Sequence, residues 1–237
     1  MFETDLHVHS IRSSCGFHTL MEVVGFIKAK GLRGFALTDH GPALKTPRAH
    51  FSVMIRRVPD VIDGIRVFKG IEASVMTTDG EIDLPRFKDD LRFDIVLSGL
   101  HEHDVFETNP GERANTRALV EAMRRNPELK VITHPYYHRL PVDLDALTDT
   151  ACETGTALEV NNSHILMAKA EMDRLYRMLE LVRQKKCPIA VNSDGHVFHE
   201  MGETGRATEI LNEYGIDSFT IVNRTLESTL DFLGLDA

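Results

Sequence analysis

Two histidines near the start of the chain are spaced so that they could hold a metal ion together. His7 and His9 flank Val8 at the end of a short run that alternates apolar and polar residues, as a β-strand does. Because residues i and i+2 of a strand point to the same side, both imidazoles are expected to project together. Two neutral imidazoles aimed at one point are a metal clamp. Taken alone, the pair fits equally well with two solvent-facing histidines on a frayed terminus.

Other metal-capable side chains follow nearly every predicted strand. They lie in the segments Thr38-Asp39-His40, Glu72, His101-Glu102-His103, Thr133-His134-Pro135, Glu159-Val160-Asn161-Asn162 and Asn192-Ser193-Asp194-Gly195-His196. In a barrel of parallel strands the carboxyl ends converge on one face, where active sites lie. The pattern therefore predicts a site for two or three ions, with Glu72 as a bridge. Clustered ions suit the hydrolysis of phosphate esters, and imidazole ligands leave the metal open among Zn, Mn, Fe and Cu.

The elements that must position these residues alternate between strand and helix. Seven strands are predicted, at Thr4–His9, Gly34–Thr38, Arg66–Ile71, Asp94–Gly99, Lys130–Thr133, Ala157–Val160 and Pro188–Val191. Helical patterns lie between them, and the alternation predicts a parallel α/β fold with a single domain over residues 1–237. Seven strands suit either a barrel or an open doubly wound sheet, and the G-x-G-x-x-G fingerprint of dinucleotide folds is absent after the first strand.

Several helix ends can be placed from local signals. Thr19 and Glu22 form a capping-box pattern, and Gly31 is expected to stop the helix that follows. Asp143 is predicted to cap another helix. Arg113–Arg125 and Leu166–Lys186 each give a long helical pattern, and Pro42–Pro59 is expected to be a long loop with a short helix.

Composition and charge narrow the class of protein. The net charge is −9, so no broad basic face for long nucleic acid is expected. Three scattered cysteines are too few for a disulfide framework and favour a reducing compartment. No stretch has the roughly 18 apolar residues of a membrane span, and Glu3 and Asp5 stand where a signal peptide would be basic and then apolar. We therefore expect a cytoplasmic protein with no membrane partner and leave homo-oligomer formation open.

Five longer motifs, with the metal-capable residues above, are similar to the PHP (polymerase and histidinol phosphatase) superfamily and look like its YcdX-type phosphatase branch. They lie at residues 36–42, 70–73, 79–83, 158–163 and 193–196. This resemblance covers essentially the whole chain. It implies a distorted (β/α)7 barrel with three metal ions at the carboxyl ends of the strands, usually zinc and sometimes manganese or iron.

The resemblance also implies how the ligands are shared. The first ion would be held by His7, His9, Glu72 and Asp194; the second by Glu72, His101 and His134; the third by His40, His196 and a residue of the loop after the first strand. The branch has a histidine at that loop position, and other members often have an aspartate. Here the aligned residue is Cys15. We expect Cys15 to coordinate, which should favour zinc and make the site sensitive to oxidation. His18 is the substitute.

The expected reaction is hydrolysis of a small phosphomonoester by metal-activated hydroxide, with no phosphoenzyme. Glu72, His40 and His196 are the candidate catalytic residues, while the proton donor to the leaving group stays open. The alternatives are a phosphodiesterase or nuclease acting on nucleotides or short oligonucleotides, and a non-catalytic metal-binding module. Cysteine-based phosphatase chemistry is excluded, because no arginine lies six residues after any cysteine. An amidohydrolase is disfavoured, because the fourth strand ends without the lysine that commonly bridges two metals there.

The remaining polar residues near the strand ends have weaker signals. His103 competes with His101, which is favoured because it is closer to its strand. Asp39 and Asn161 are expected to orient ligands. Four residues could line the substrate entrance: Arg12, Tyr136, His138 and Arg139. The other histidines in loops or helix starts, at positions 50, 164 and 199, are expected to be solvated or at the rim.

Overall fold

The structure is a computed structural model that describes residues 2–44, 55, 57–85 and 93–236. Most of the segment predicted as a long loop lies outside these residues. Its described start, Pro42–Leu44, is a short 3₁₀ turn.

In the described part of the chain, eight strands form one sheet, and seven of them run parallel. Their bounds are β1 Thr4–Val8, β2 Gly34–Leu37, β3 Val61–Ile62, β4 Ile65–Ser74, β5 Ile95–Gly99, β6 Leu129–Ile132, β7 Ala157–Asn161 and β8 Ile189–Asn192. The parallel strands follow the order β1-β2-β4-β5-β6-β7-β8, while the two-residue β3 pairs antiparallel with β4. The seven predicted strands are confirmed, with β4 longer than expected at both ends.

The sheet curls into a nearly closed barrel, because its two outer strands meet. The backbone amide of His9 donates to the carbonyl of Gly195 at 2.9 Å, and the amide of Gly195 donates to the carbonyl of His7 at 3.3 Å. A bridge between Val8 and Gly195 lies at the same place. This contact lies just past the end of β8. Of the two folds predicted for seven strands, it shows that the chain forms the barrel and not the open doubly wound sheet.

Seven helices of the described residues connect the strands and cover the barrel. They are α1 Leu20–Ala29, α2 Glu112–Arg125, α3 Leu144–Thr154, α4 Asn162–Leu166, α5 Met172–Lys185, α6 Gly205–Glu213 and α7 Leu226–Leu233. The single helix predicted over Leu166–Lys186 is wrong at its start. Ala168 has a φ of 55°, and the amides of Lys169 and Ala170 both donate to the carbonyl of His164, so the chain turns between α4 and α5.

The predicted helix caps are confirmed. Thr19 and Glu22 make a capping box at the start of α1, and Gly31, with a φ of 77°, lies just beyond its end. The side chain of Asp143 accepts bonds from the amides of Asp145 and Ala146 at the start of α3.

The apolar core leaves one end of the barrel free for polar groups. Inside the barrel, Leu6, Phe68 and Leu97 pack against Leu230 and Leu233 of α7. Helix α7 lies at the end where the strands begin, since the hydroxyls of Thr4 and Thr229 are 2.7 Å apart. The opposite end, where the strands finish, carries the polar side chains.

Two of the three cysteines are joined, which sequence analysis did not predict. Cys152 in α3 and Cys187, just before β8, form a disulfide with Cα atoms 5.0 Å apart. The pair is 35 residues apart in sequence, and only the fold brings the two segments together. Cys15 is free. Among the described helices, none combines the length and the apolar character needed to span a membrane.

Candidate metal centre

Glu72 lies at the middle of a cluster of imidazoles at the carboxyl end of the barrel. Its Oε2 is 2.7 Å from His40 Nδ1, 3.3 Å from His7 Nε2 and 3.5 Å from His9 Nε2. Its Oε1 is 3.2 Å from His101 Nε2 and 3.4 Å from His134 Nε2. Glu72 is 1 % exposed. One buried carboxylate therefore has five imidazole nitrogens around it, contributed by four different strands or the loops that follow them.

The first histidine pair meets Asp194 as well as Glu72. His7 Nε2 and His9 Nε2 are 3.1 Å apart, which confirms that the two side chains share one side of β1. Asp194 Oδ1 is 3.4 Å from His7 Nε2 and 3.2 Å from His9 Nε2. Atoms bound to one ion at about 2.0–2.1 Å stand at such separations from each other.

A second group forms at the mouth of the site. His9, Cys15, His40 and His196 each present a ligand atom, and all four atoms lie within 4.8 Å of one another. Cys15 is exposed, whereas His9 is fully buried. His18, the expected substitute, turns elsewhere: its Nε2 accepts a bond from the amide of Phe198 at 3.1 Å.

The loop that carries Cys15 is held by Asp39. Its carboxylate accepts bonds from the amide and hydroxyl of Ser10 and from the amide and hydroxyl of Ser13, at 2.7–3.1 Å. The Ser13 hydroxyl also lies 3.1 Å from His9 Nδ1 and accepts a bond from the amide of His40. Asp39 thus orients this side of the cluster through two serines.

Glu159 is a site residue whose role sequence analysis missed. This fully buried carboxylate is 2.7 Å from His7 Nδ1 and accepts the backbone amide of His134 at 2.9 Å. Asn161 and Asn192 each donate a side-chain amide to it at 2.9 Å. Glu159 therefore leaves Nε2 of His7 to face Glu72. Its place at a strand end was visible in the sequence, but its partners come from three other strands or their loops.

Two candidate ligands sit in unusual backbone conformations. His134 has a φ of 33° and Asp194 a φ of 54°, where residues other than glycine are uncommon. The Glu159 bond holds the amide of His134, and Asn161 Nδ2 donates to Asp194 Oδ2 at 3.1 Å. Strained residues held by such bonds cluster at functional sites.

Several expectations about nearby residues can now be compared with their positions. His101 lies at the cluster, while His103 Nδ1 pairs with Asp104 at 3.1 Å. Tyr136 is wrongly placed at the entrance by sequence analysis, because it is fully buried and its hydroxyl accepts the amide of Asn161. Its neighbour Tyr137 reaches the rim instead.

Among the loop histidines, His164 departs most from the expectation of a solvated position. It is 7 % exposed, and its ring is stacked on that of His134 at 4.3 Å. His138 is exposed as expected, and position 50 lies outside the described part of the chain.

Charges in the cluster are strongly coupled. Burial opposes ionisation, yet the nearby histidines hold the pKa of Glu72 well below its usual range. Burial alone would lower the pKa of His40, but Glu72 and Cys15 raise it to about 10. The pKa of His196 is raised in the same way to about 9, despite burial, by Cys15 and Asp194. Burial and neighbouring imidazoles lower the pKa of His9 well below its usual range.

These residues fit a metal centre better than a network of hydrogen bonds. Glu72 Oε2 and His40 Nδ1 are both buried and have no hydrogen-bond partner among the described residues, although they are 2.7 Å apart. Buried polar atoms without a partner are costly. Imidazole, carboxylate and thiolate groups that converge in this way are the donor set of zinc and related ions.

Comparisons with known proteins agree with this geometry. Residues 5–219 match the PHP domain family. A protein named a probable phosphatase from Syntrophotalea carbinolica is 38 % identical over 99 % of this chain and 97 % of its own length. The probable phosphatase YcdX of Escherichia coli O127:H6 is 33 % identical over 98 % of this chain and 94 % of its own.

One solved structure shows the same fold. The histidinol phosphate phosphatase of Lactococcus lactis, solved with zinc, L-histidinol and phosphate, superposes with a TM-score of 0.67 at 17 % identity. The match covers 91 % of this chain and 94 % of the other. It confirms the barrel fold.

Proposed function

The chain belongs to the PHP domain family, and from this premise we propose that it is a metal-dependent phosphatase that hydrolyses small phosphomonoesters at a three-metal centre. The observation that carries the proposal is the position of Glu72, one buried carboxylate within 3.5 Å of five imidazole nitrogens. Such a residue can bridge two ions, and clustered ions are suited to phosphoryl chemistry. The names of the relatives, which are probable phosphatases, support the same reaction class.

The geometry supports nine residues as metal ligands. They are His7, His9, Cys15, His40, Glu72, His101, His134, Asp194 and His196. We propose three zinc ions per chain, with manganese or iron as alternatives, and the zinc in the Lactococcus lactis structure supports this choice. When bound, such ions make water a better nucleophile and neutralise charge on the phosphoryl and leaving-group oxygens.

The protein's own residues position the ligands, provide the charge of Glu72 and determine where a substrate can enter. Glu72 fixes the relative positions of imidazoles from both sides of the barrel, so its carboxylate sets the spacing of the centre. Asp39 and Glu159 hold the ligands on either side of it through the bonds described above. Among the described ligands, Cys15 is exposed, and the side chains of His40, His101 and His196 are 12 %, 14 % and 25 % exposed, so a substrate approaches past these residues. Of the three histidines, His40 and His196 share a ligand group with Cys15.

Those two histidines are therefore the groups that we propose meet the substrate. A phosphate ester that enters the mouth places its phosphoryl group against the ligand cluster and its leaving group outward. His40 and His196 are then nearest to the leaving oxygen; Glu72 holds His40 in place electrostatically, and Asp194 does the same for His196. The narrow, buried cluster favours a small terminal phosphate over the middle of a long nucleic acid.

The proposed function can be tested by metal removal and return. The purified protein is stripped with a chelator, dialysed, and assayed against a panel of phosphorylated metabolites and a generic aryl phosphate, before and after zinc, manganese or iron is restored. We expect hydrolysis of at least one monoester, its loss in the stripped protein, and its return with metal. A panel of nucleotide diesters and short oligonucleotides runs in parallel.

Glu72→Gln tests the residue on which the proposal rests. The substitution keeps the shape of the side chain but removes the bridging charge, so we expect loss of bound metal and a fall in turnover of at least about 10²-fold. Glu102→Gln at the rim removes the same charge without touching a ligand, and should leave both unchanged. A metal-loaded protein that hydrolyses none of the monoesters would overturn the proposal, and preference for the diesters would redirect it.

A further inference from the structure

The proposed ligand groups are not chemically equivalent. Around Glu72 and Asp194 the donors are imidazole nitrogens and carboxylate oxygens only. The group at the mouth also contains imidazole nitrogens, from His9, His40 and His196, but it adds the sulfur of Cys15. One position of the centre is therefore softer than the others.

The sulfur is held in place rather than carried on a free loop. Four hydrogen bonds to Asp39 fix the first turn of the loop, and the amide of Phe17 donates to the carbonyl of His196 at 3.2 Å just after Cys15. Gly16 lies against the backbone carbonyl of Ser10 so closely that a Cβ could not fit there. The loop thus delivers the thiol to three imidazoles, and its sulfur lies within 4.8 Å of each ligand nitrogen.

Elementary coordination chemistry gives these groups different preferences. A thiolate selects zinc and other borderline or soft ions, whereas manganese prefers oxygen donors. A set of ligands that combines one thiolate sulfur with imidazole nitrogens is a favourable environment for zinc. The groups that contain Glu72 and Asp194 have carboxylate oxygens, which suit manganese and iron as well.

From these differences we infer that the centre is built for two kinds of metal, with a zinc-selective position at Cys15, His40 and His196 and exchangeable positions around Glu72 and Asp194, to which His9 belongs through its contact with Asp194. This inference rests on the proposed metal centre and deepens it. It assigns to Cys15 the role of sorting metals within the site. The deeper positions then bind whichever of manganese, iron or zinc is available, while the position at the mouth retains zinc.

A partition experiment tests the inference without relying on activity. Metal-stripped protein is given one equivalent of zinc with a large excess of manganese, passed through a desalting column, and analysed for both elements. In the wild type we expect one zinc per chain to be retained, with manganese in the remaining positions. In Cys15→Ser the retained zinc-to-manganese ratio should fall, because imidazole and carboxylate ligands still prefer zinc but lack the added selectivity of the sulfur. Ser14→Ala, on the same loop but outside the ligand group, is the matched control and should behave as wild type.

Cobalt spectroscopy identifies the ligand directly. Cobalt bound to a thiolate shows a sulfur-to-metal charge-transfer band in the near ultraviolet, so titration of the stripped wild type with cobalt should produce that band and Cys15→Ser should lack it. An equal zinc-to-manganese ratio in wild type and Cys15→Ser, or an unchanged band, would overturn the inference. These readings are independent of turnover: failure to hydrolyse any ester counts against the phosphatase, whereas unchanged partition in an active enzyme counts against metal sorting alone.

Discussion

At the scale of single residues, Glu72 explains why the cluster must exchange protons for metal. Without an ion, five imidazoles around one carboxylate cannot all be neutral and hydrogen-bonded. The protons collect on three histidines. Despite burial, the neighbouring carboxylates raise the pKa of His7 well above the usual value of 6.5, and the pKa values of His40 and His196 are raised to about 10 and 9. Metal ligation requires neutral imidazoles, so uptake of ions must release these protons.

This protonation of the histidines predicts that the stability of the metal-free protein depends on pH. A raised histidine pKa adds stability that is complete below the unfolded value of about 6.5 and is lost as the pH rises through about 9 to 10. Cys15, whose pKa is lowered to about 6 by His196 and His40 despite burial, offsets part of the effect. We expect the melting temperature of stripped protein to fall over this window by at least about 2–4 °C.

Differential scanning fluorimetry across the pH range measures this fall. The metal-loaded protein should not follow it, because histidines bound to an ion are already neutral. His40→Asn removes one of the protonated histidines and should flatten the profile of the stripped protein. A profile that is flat from the start would contradict the proposed protonation.

Glu159 gives a second prediction at the same scale. Its carboxylate holds both the ring of His7 and the backbone of His134, so Glu159→Gln weakens the charge behind two candidate ligands without removing either. Buried partners of metal-bound histidines typically contribute about 10–100-fold in affinity, and we expect a loss of that size. Competition with a chelator of known zinc affinity measures it, with Glu102→Gln as control; unaltered affinity in Glu159→Gln would show that His7 needs no such support.

At the scale of elements, the loop between β1 and α1 depends on one glycine. Gly16→Ala would push a Cβ into the carbonyl of Ser10, and the backbone must shift to make room. We expect a loss of about 1–3 kcal/mol in stability and displacement of Cys15 from its imidazole partners. Gly25→Ala in α1 is the matched control, because nothing lies within 4 Å of the added carbon and alanine favours a helix by up to about 1 kcal/mol.

Urea denaturation of the two variants measures their stability, and metal analysis of each measures the bound zinc. The two substitutions should move stability in opposite directions, and only Gly16→Ala should reduce bound zinc. If both variants kept full zinc, the loop would be adaptable and its fixed geometry would have no role in holding the sulfur.

The elements also show where prediction from sequence succeeds and where it stops. Strand periodicity and the convergence of parallel strand ends are enough to predict that His7, His9, Glu72 and Asp194 lie close together. Local signals likewise sufficed for the cap at Thr19. The roles of Glu159 and His164 could not be predicted, because a hydrogen bond across strands and a ring stack depend on distances that only the closed barrel defines.

At the scale of the whole molecule, the disulfide ties two segments that are distant in sequence. Cys152 and Cys187 enclose the end of α3 and all of β7, α4 and α5. A crosslink of this loop length typically stabilises by about 2–4 kcal/mol through the unfolded chain. We therefore expect a non-chelating reductant to lower the urea midpoint of the wild type.

Cys152→Ser is the matched control for that measurement. Its midpoint should already be lower and should not respond to reductant, while its metal content stays that of the wild type, since neither cysteine lies in a ligand group among the described residues. Equal midpoints for oxidised and reduced wild type would mean that the bond does not contribute. The scattered positions of the cysteines gave no hint of the pairing, because spacing alone cannot place α3 beside β8.

The contact that closes the barrel also sets an order of events during synthesis. Its partners, Val8 and Gly195, lie near opposite ends of the fold, and the ligands beside them are equally far apart in sequence. At about 5–20 residues per second, the ribosome delivers His196 roughly 10 to 40 s after His9. Throughout that interval one edge of β1 has no partner strand and its two histidines have no Asp194. The earliest ligands to be translated are thus the last to be completed, and a full set of metals can be taken up only after Asp194 and His196 have been translated.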